Sequence, residues 1–423
     1  MSTATQRPAR SEWIPPAGWF LLAIGFWLAF LAWVRPLTLP DEGRYAGVAW
    51  DMLRSGSHAV PLLDGMPYFH KPPLYYWMTE LSFTLFGVHP WAARVPSLLA
   101  SWAAIAGLYA FVRRYRDAAS ASMTALLLAT LPFFYGGSQF ANLDMLVAGL
   151  ITLCVLAAAD TVLRAERGQA YRWMSLAAAA LAGLAVLAKG LIGLVLPGAI
   201  LFIWLVWGRR WRGLAALVWP PALLVFAIVA VPWFVLMQIR YPGFYDYFFV
   251  YQHFQRFAAS GFNNAQPFWF YLPVVVGLAL PWSLWGGGIL RKAFWADGPQ
   301  RDLRRLALIW FVVVVGFFSL PSSKLVGYVL PALPALAFLL AEVIVAAWRQ
   351  KGDSLAPRLV RICVGVGAGI CVLAIGIAAH SARGSAGPLA AVIRPLVQPG
   401  DTYVSLHTYP FDLALYALSL IHI

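Results

Sequence analysis

Residues 143–160 read LDMLVAGLITLCVLAAAD. This run approaches the roughly 20 apolar residues that a helix needs to cross a bilayer. Asp144 stands beside its start, at the boundary and not at the middle. Comparable runs lie at about 17–34, 91–112, 119–135, 174–189, 190–207, 214–238, 267–290, 303–320, 325–347 and 358–379. The chain therefore reads as an all-α integral membrane protein with about 11–13 transmembrane helices, joined by juxtamembrane and amphipathic helices.

Composition agrees. Of 423 residues, 61% are hydrophobic and 11% charged, and mean hydropathy is +0.72. Those values exclude an ordinary soluble protein. In a soluble chain the net charge of +14 would suggest nucleic acid. Here the positive charge lies in short loops between apolar runs, as the positive-inside rule requires. Membrane lipids are the expected surroundings, and no nucleic-acid partner is expected. Cys154, Cys363 and Cys371 all lie within apolar runs and read as small core residues, not as a disulfide framework. The first run ends without a small-residue cleavage site, so it is expected to remain as a helix.

The short apolar stretch 73–88 decides the topology. If it crosses, Arg113, Arg114 and Arg116 fall outside while Arg7 and Arg10 lie inside. If it lies in the interface, the basic loops at 113–116, 164–172, 209–212, 291–305 and 349–361 all join the N-terminus on the cytoplasmic side. The charge rule favours the second arrangement, with about eleven spans. The outer face then receives the 35–90 loop, the turns at 136–142, 189–190 and 321–324, the 239–266 loop and the tail. Residues 1–380 form the membrane domain. Residues 381–423, with a strand-like Asp401–Leu406 and a further element starting at Asp412, read as the opening of a soluble outer-face domain. This suggests a truncated product whose closing Ser419-Leu420-Ile421-His422-Ile423 is not native.

The same face collects the chemistry-bearing residues: Asp41, Glu42, Lys71, Asp144, Lys189, His253, Arg256 and Lys324. Burying such a group in lipid costs about 2.5–3.5 kcal/mol on insertion scales, so membrane chains keep them where they handle substrate, protons or ions. Asp41 follows Pro40 and could simply cap the amphipathic helix 42–54, whose Tyr45, Val48, Ala49, Met52 and Leu53 share a face. Lys71 sits in YFHKPPLYYW beside two prolines; it could snorkel, or hold a phosphate at the membrane surface. His253 and Arg256 lie one helical turn apart, and an arginine binds phosphate in a bidentate fashion. Tyr328 follows Lys324 by four positions. Together, carboxylates and cations on one membrane face suggest a base and a clamp for an anionic leaving group.

An ordered set of motifs sharpens this reading: PDEGRYA, YFHKPPLYYW, LDML, AKG, HFQRF with PFWFYLP, and FFSLPSSKLVGYVLPALPALA. Over about residues 18–345 the chain resembles the polyprenyl-phosphate-dependent glycosyltransferases of the ArnT and protein-mannosyltransferase-like superfamily. The resemblance implies a GT-C membrane glycosyltransferase with its site on the periplasmic side of the bacterial inner membrane. It implies a polyprenyl-phosphate sugar donor and a lipid or glycan acceptor such as lipid A. It puts Asp41 in the catalytic acidic position, with Glu42 and Asp144 as secondary acids. It puts Lys71, Arg256 and Tyr328 at the donor phosphate, where Lys324 and Lys189 are further candidates. His70 stands where the aminoarabinose enzymes carry Glu, and Gln252 where they carry an acid. His70 and His253 with a carboxylate could hold a divalent metal, although their spacing gives no metal-site pattern. The expected chemistry is an inverting transfer: Asp41 takes the acceptor's proton, and fixed cations stabilise the departing phosphate. A Ser/Thr O-mannosyltransferase-like activity is the enzymatic rival, and a lipid-linked sugar flippase the rival of another class. A flippase should place its charges mid-span and show repeat symmetry, and neither is visible here.

Overall fold

Proline breaks decide which apolar runs become straight helices. The computed structural model describes residues 16–38, 40–255, 264–298, 300–350, 355–380, 385–396 and 410–417. The first half of the chain holds α1 (Ala17–Ala29), α2 (Asp41–Ser55), α3 (Leu74–Phe86), α4 (Pro90–Tyr115), α5 (Ala118–Thr130) and α6 (Pro132–Ser138). It continues with α7 (Leu143–Glu166), α8 (Arg172–Lys189), α9 (Ile192–Trp207), α10 (Trp211–Leu217) and α11 (Pro220–Arg240). After a π-helical turn at Asp246–Gln255 come α12 (Tyr271–Leu278), α13 (Arg301–Ser319), α14 (Leu333–Arg349) and α15 (Leu355–His380). Two short helices, α16 (Gly387–Ile393) and α17 (Leu413–Ala417), close the described chain.

Among the described residues, six helical segments are long and apolar enough to cross a bilayer: Pro90–Tyr115, Leu143–Glu166, Arg172–Lys189, Pro220–Arg240, Val326–Arg349 and Leu355–His380. A seventh is formed if α5 and α6 count as one span bent by 66°. Pro132 causes that bend. It has no N–H to continue α5, and it holds Leu131 in an extended conformation. Of the remaining runs, 17–34 and 190–207 form the shorter apolar helices α1 and α9. The 267–290 run is split between α12 and a 3₁₀ segment at Trp282–Gly288. Straight spans are therefore fewer than the apolar runs from which they were read. Helix α3 has 13 residues, about 20 Å at 1.5 Å per residue, which is short of the bilayer core. It lies against α4 instead, where Tyr75 Oη donates to the Ala93 carbonyl at 3.0 Å and Ser82 Oγ to that of Ala92 at 2.7 Å.

Helix α7 is the central post, with 83% of its apolar window buried. Asn142 caps it by accepting the Asp144 N–H. Gly149 lets it touch α4, because a Cβ there would stand 2.7 Å from the Ala100 carbonyl oxygen. Alternating helices send the arginine-rich turns to one end of the bundle. At that end Arg116 and Arg304 both grip Glu342, and Arg114, Arg164 and the Tyr115 hydroxyl meet on Asp160. The opposite end carries α2, α3, the turn after α8 and the 246–255 segment.

The tail touches this opposite end. Asp412 accepts from the Ala386 N–H and the Ser385 hydroxyl, both at 3.0 Å, which joins α16 to α17. The Leu37 N–H donates to Tyr416 Oη at 2.8 Å. The strand read at Asp401–Leu406 and the closing residues lie outside the described chain.

Candidate active site

The site is a cavity of about 570 Å³ between α2, the segment Tyr68–Lys71 ahead of α3, the start of α7, the end of α8, the π-helical turn and the Tyr328 segment. Each element arrives with its charge at a helix end. Asp41 is the first residue of α2, Asp144 lies in the first turn of α7, and Lys189 is the last residue of α8. Acids at N-termini and a cation at a C-terminus each complement the local helix dipole, which lowers the cost of charge at a membrane boundary. Gly190, at φ 89°, takes the left-handed region that ends α8 immediately after Lys189.

Lys71 is delivered by a different device. A hairpin pairs β1 (Leu62–Leu63) with β2 (Met66–Pro67) through Asp64 and Gly65, both at positive φ. The Asp64 N–H donates to the Asp51 carboxylate at 2.5 Å, which fastens the hairpin to α2. Pro72 and Pro73 then start α3, leaving Lys71 on the cavity wall.

The structure brings Asp41, His70, Lys71, Asp144, Lys189 and Tyr328 to one cavity. Asp41 does not cap α2. Pro40 holds the cap position without a side-chain bond, and the Asp41 carboxylate accepts from Arg44 at 2.5 Å. Asp144 is paired with Lys189, whose Nζ also lies 4.4 Å from the centre of the Tyr328 ring. Gly327 leaves room for that arrangement, since a Cβ there would lie 2.9 Å from Asp144 Oδ2. The wall is aromatic: His70 lies 4.4 Å from Tyr68 and 6.2 Å from Tyr247, and Tyr247 stacks on Tyr251 at 5.8 Å. Gln252 donates to the Tyr247 hydroxyl at 2.8 Å.

Two sequence candidates are placed elsewhere. Glu42 is fully buried behind the cavity. Its carboxylate accepts from Arg35, from Arg94 Nε at 3.0 Å, and from the backbone N–H groups of Thr38 at 2.9 Å and Ala141 at 2.7 Å. Burial alone would raise the Glu42 carboxyl, but Arg94 and Arg35 outweigh it and hold it below the usual carboxylate range. Every lone pair is engaged, so Glu42 braces the α1–α2 corner against α4 and α7. Lys324 is also buried. Its ammonium donates to the carbonyls of Gln266, at 2.9 Å, and Pro321, tying two outer turns together.

The His253 side chain and all of Arg256 lie outside the described residues. Among the described residues no group of three His, Cys, Asp or Glu could hold a metal. Arg44, Asn142 and Tyr251 line the cavity without having been singled out in the sequence. For Arg44 the signal was its i,i+3 spacing from Asp41.

Comparison with known proteins follows the same geometry. The family model described as dolichyl-phosphate-mannose-protein mannosyltransferase matches residues 70–235. The undecaprenyl phosphate-alpha-4-amino-4-deoxy-L-arabinose arabinosyl transferase of Pseudomonas paraeruginosa is 35% identical over 349 residues, covering 80% of this chain and 62% of the relative. The corresponding enzyme of Erwinia tasmaniensis is 32% identical over 350 residues, covering 81% of this chain and 62% of its own length. The chain thus spans less than two thirds of the curated relatives it matches. ArnT from Cupriavidus metallidurans, solved with undecaprenyl phosphate bound, superposes with a TM-score of 0.81 at 25% identity, covering 96% of this chain and 86% of that one. The oligosaccharyltransferase AglB of Archaeoglobus fulgidus, at 14% identity and a TM-score of 0.58 over 90% of this chain and 59% of its own, shares the fold. In its helix-end cavity, its motif order and its all-helical architecture, the chain is similar to the ArnT and protein-mannosyltransferase-like superfamily and has the GT-C membrane fold.

Proposed function

We propose that the chain is a glycosyltransferase that moves a sugar from a polyprenyl phosphate, in bacteria undecaprenyl phosphate, to an acceptor on the periplasmic face of the inner membrane. One observation carries this reading. A carboxylate at a helix start, a lysine just before a double proline, an acid–lysine pair and a tyrosine converge on one cavity at the helix ends. The relatives and the solved neighbour supply the carrier by analogy. Asp41 accepts the acceptor hydroxyl's proton as the nucleophile attacks the anomeric carbon. The bond between that carbon and the phosphate oxygen breaks with inversion, and the lipid phosphate leaves with an added negative charge. Lys71, Arg256 and Tyr328 take that charge, with Lys189 near by. Fixed cations act most strongly on charge that develops in a poorly solvated site. Asp144 holds Lys189 in place.

Acceptor identity has two candidates. The motif resemblance suggests lipid A or another envelope glycolipid. The family model over 70–235, described as a protein mannosyltransferase, favours a protein acceptor. Incubation of the purified protein with a radiolabelled undecaprenyl-phosphate sugar and inner-membrane extract tests both. The expected result is release of free undecaprenyl phosphate, with label in a lipid or protein fraction. Label that crosses a vesicle membrane while still on the carrier would mean a flippase instead.

A further inference from the structure

Asn142 makes two hydrogen bonds to Asp144, and the cap of α7 needs only one of them. Its Oδ1 accepts the Asp144 N–H, which closes the start of the helix. Its Nδ2 donates to Asp144 Oδ2 at 3.4 Å. Serine or aspartate would cap α7 about as well as asparagine. Serine has no second polar group to offer the carboxylate, and aspartate would set a like charge against it. Of these caps, only asparagine also holds the Asp144 side chain.

The surroundings give that hold a consequence. Asp144 is paired with Lys189, and its Oδ2 lies so close to Gly327 that a Cβ there would stand 2.9 Å away. Lys189 Nζ in turn lies 4.4 Å from the centre of the Tyr328 ring. The place of the lysine in the cavity is thus tied to the rotation of one carboxylate. Asn142 is itself firmly mounted. Ser97 Oγ, from α4, donates to its carbonyl at 3.1 Å, and the preceding Ala141 N–H donates to Glu42 at 2.7 Å. A line of hydrogen bonds therefore runs from the buried Arg35–Glu42–Arg94 knot through residues 141–142 to Asp144 and Lys189. We infer, resting on the glycosyltransferase reading, that Asn142 is a positioning residue: it fixes the Asp144 carboxylate and so presents Lys189 to the lipid phosphate of the donor.

The test is equilibrium binding of labelled undecaprenyl phosphate to the purified full chain in detergent, with thermal unfolding of the same samples. Binding is measured well below every melting temperature. Asn142→Ser keeps the capping oxygen and loses the amide donor. It should melt near the parent and weaken binding by about three- to tenfold, the worth of one ordinary hydrogen bond. Asn142→Ala loses both bonds. It should weaken binding to the same extent and also melt lower, which separates the cap from the hold. Lys189→Met alone should weaken binding by about tenfold. Adding Asn142→Ser to Lys189→Met should weaken it no further, because residues that act through one group are not additive. Parent-like binding by Asn142→Ser reduces Asn142 to a helix cap and overturns the inference. An undiminished Asn142→Ser effect once Lys189 is gone also overturns it. In both cases the unaltered chain still binds the carrier, and the carrier reading stands. Failure of the unaltered chain to bind undecaprenyl phosphate would bring down that reading as well.

Discussion

The two ends of the bundle both carry buried acids, but they treat them differently. At the arginine-rich end Glu342 accepts from Arg116 at 3.0 Å and from Arg304 at 2.8 Å, and its side chain is 1% exposed. Asp160 is likewise surrounded by Arg114, Arg164 and Tyr115. At the cavity end Asp41 has Arg44, its side chain is 37% exposed, and it faces open volume. A carboxylate gripped by planar guanidinium groups from several helices has no capacity left for substrate. One with a single partner at a cavity wall can exchange that partner for a reacting group. Asp41 and Glu42 show both treatments in consecutive residues. A helical step of about 100° turns one to the cavity and the other to the Arg35–Arg94 knot.

The largest effect should come from opening the knot. Glu42→Ala leaves two buried guanidinium groups without their counter-charge. It should cost about 3–5 kcal/mol, seen as loss of folded protein in thermal unfolding of the detergent-solubilised chain. Glu342→Ala at the other end should behave in the same way. Acid gives an independent reading. The folded Glu42 carboxyl lies below its unfolded value, so its contribution is present above the ordinary glutamate range and lost as pH falls through the folded value. Glu42→Gln should therefore flatten the acid limb of stability. An unchanged acid limb would show that the knot does not govern it.

Asp41→Asn should leave the melting temperature near that of the parent and cut transfer by about 10²-fold or more, the range of a positioned base. Scintillation counting of transferred sugar at saturating donor provides the measurement. If Asp41→Asn instead unfolds like Glu42→Ala, the contrast between the neighbouring acids disappears.

Much of this was legible in the sequence because membrane boundaries tax charge. Asp41, Lys71, Asp144 and Lys189 stood out at the ends of apolar runs, and they share one cavity. The same rule could not separate Glu42 and Lys324 from them. Both also stand at a boundary, and only tertiary neighbours reveal that their hydrogen bonds are satisfied inside the protein. Arg94 escaped notice for the reverse reason. It lies four residues into α4, and nothing local announces that it reaches Glu42 and the carbonyls of Ala32 and Pro36. The runs marked the helices well, but taking 119–135 as one run passed over Pro132, which breaks it between α5 and α6.

A smaller effect should come from the phosphate clamp, where charge is shared. Lys71→Met keeps the apolar stem and removes the ammonium, so it should lower transfer by about tenfold or more, the worth of a charged hydrogen bond. Arg256→Ala should act similarly. The double variant should lose less than the product of the two, because groups acting on one phosphate are coupled. Strictly multiplicative losses in kcat/KM would separate the two residues.

The smallest effect tests whether the tail tunes the open pair. Phe411 packs its carbonyl oxygen against α2, where a Cβ on Gly47 would lie 3.2 Å away. Its ring lies 5.8 Å from the Arg44 guanidinium, on the residue that holds Asp41. A cation–π contact of this kind is worth about 0.5–1 kcal/mol at a partly exposed site. Phe411→Ala frees Arg44 to hold Asp41 more tightly or to swing away, and either change misplaces the base. Transfer should fall by about two- to fivefold in kcat with KM for the donor little changed, since the phosphate clamp is on other elements. Phe411→Tyr keeps the ring and should restore the rate. A loss confined to thermal stability, with kcat untouched, would make the tail a brace for α2 and leave Asp41 tuned by Arg44 alone.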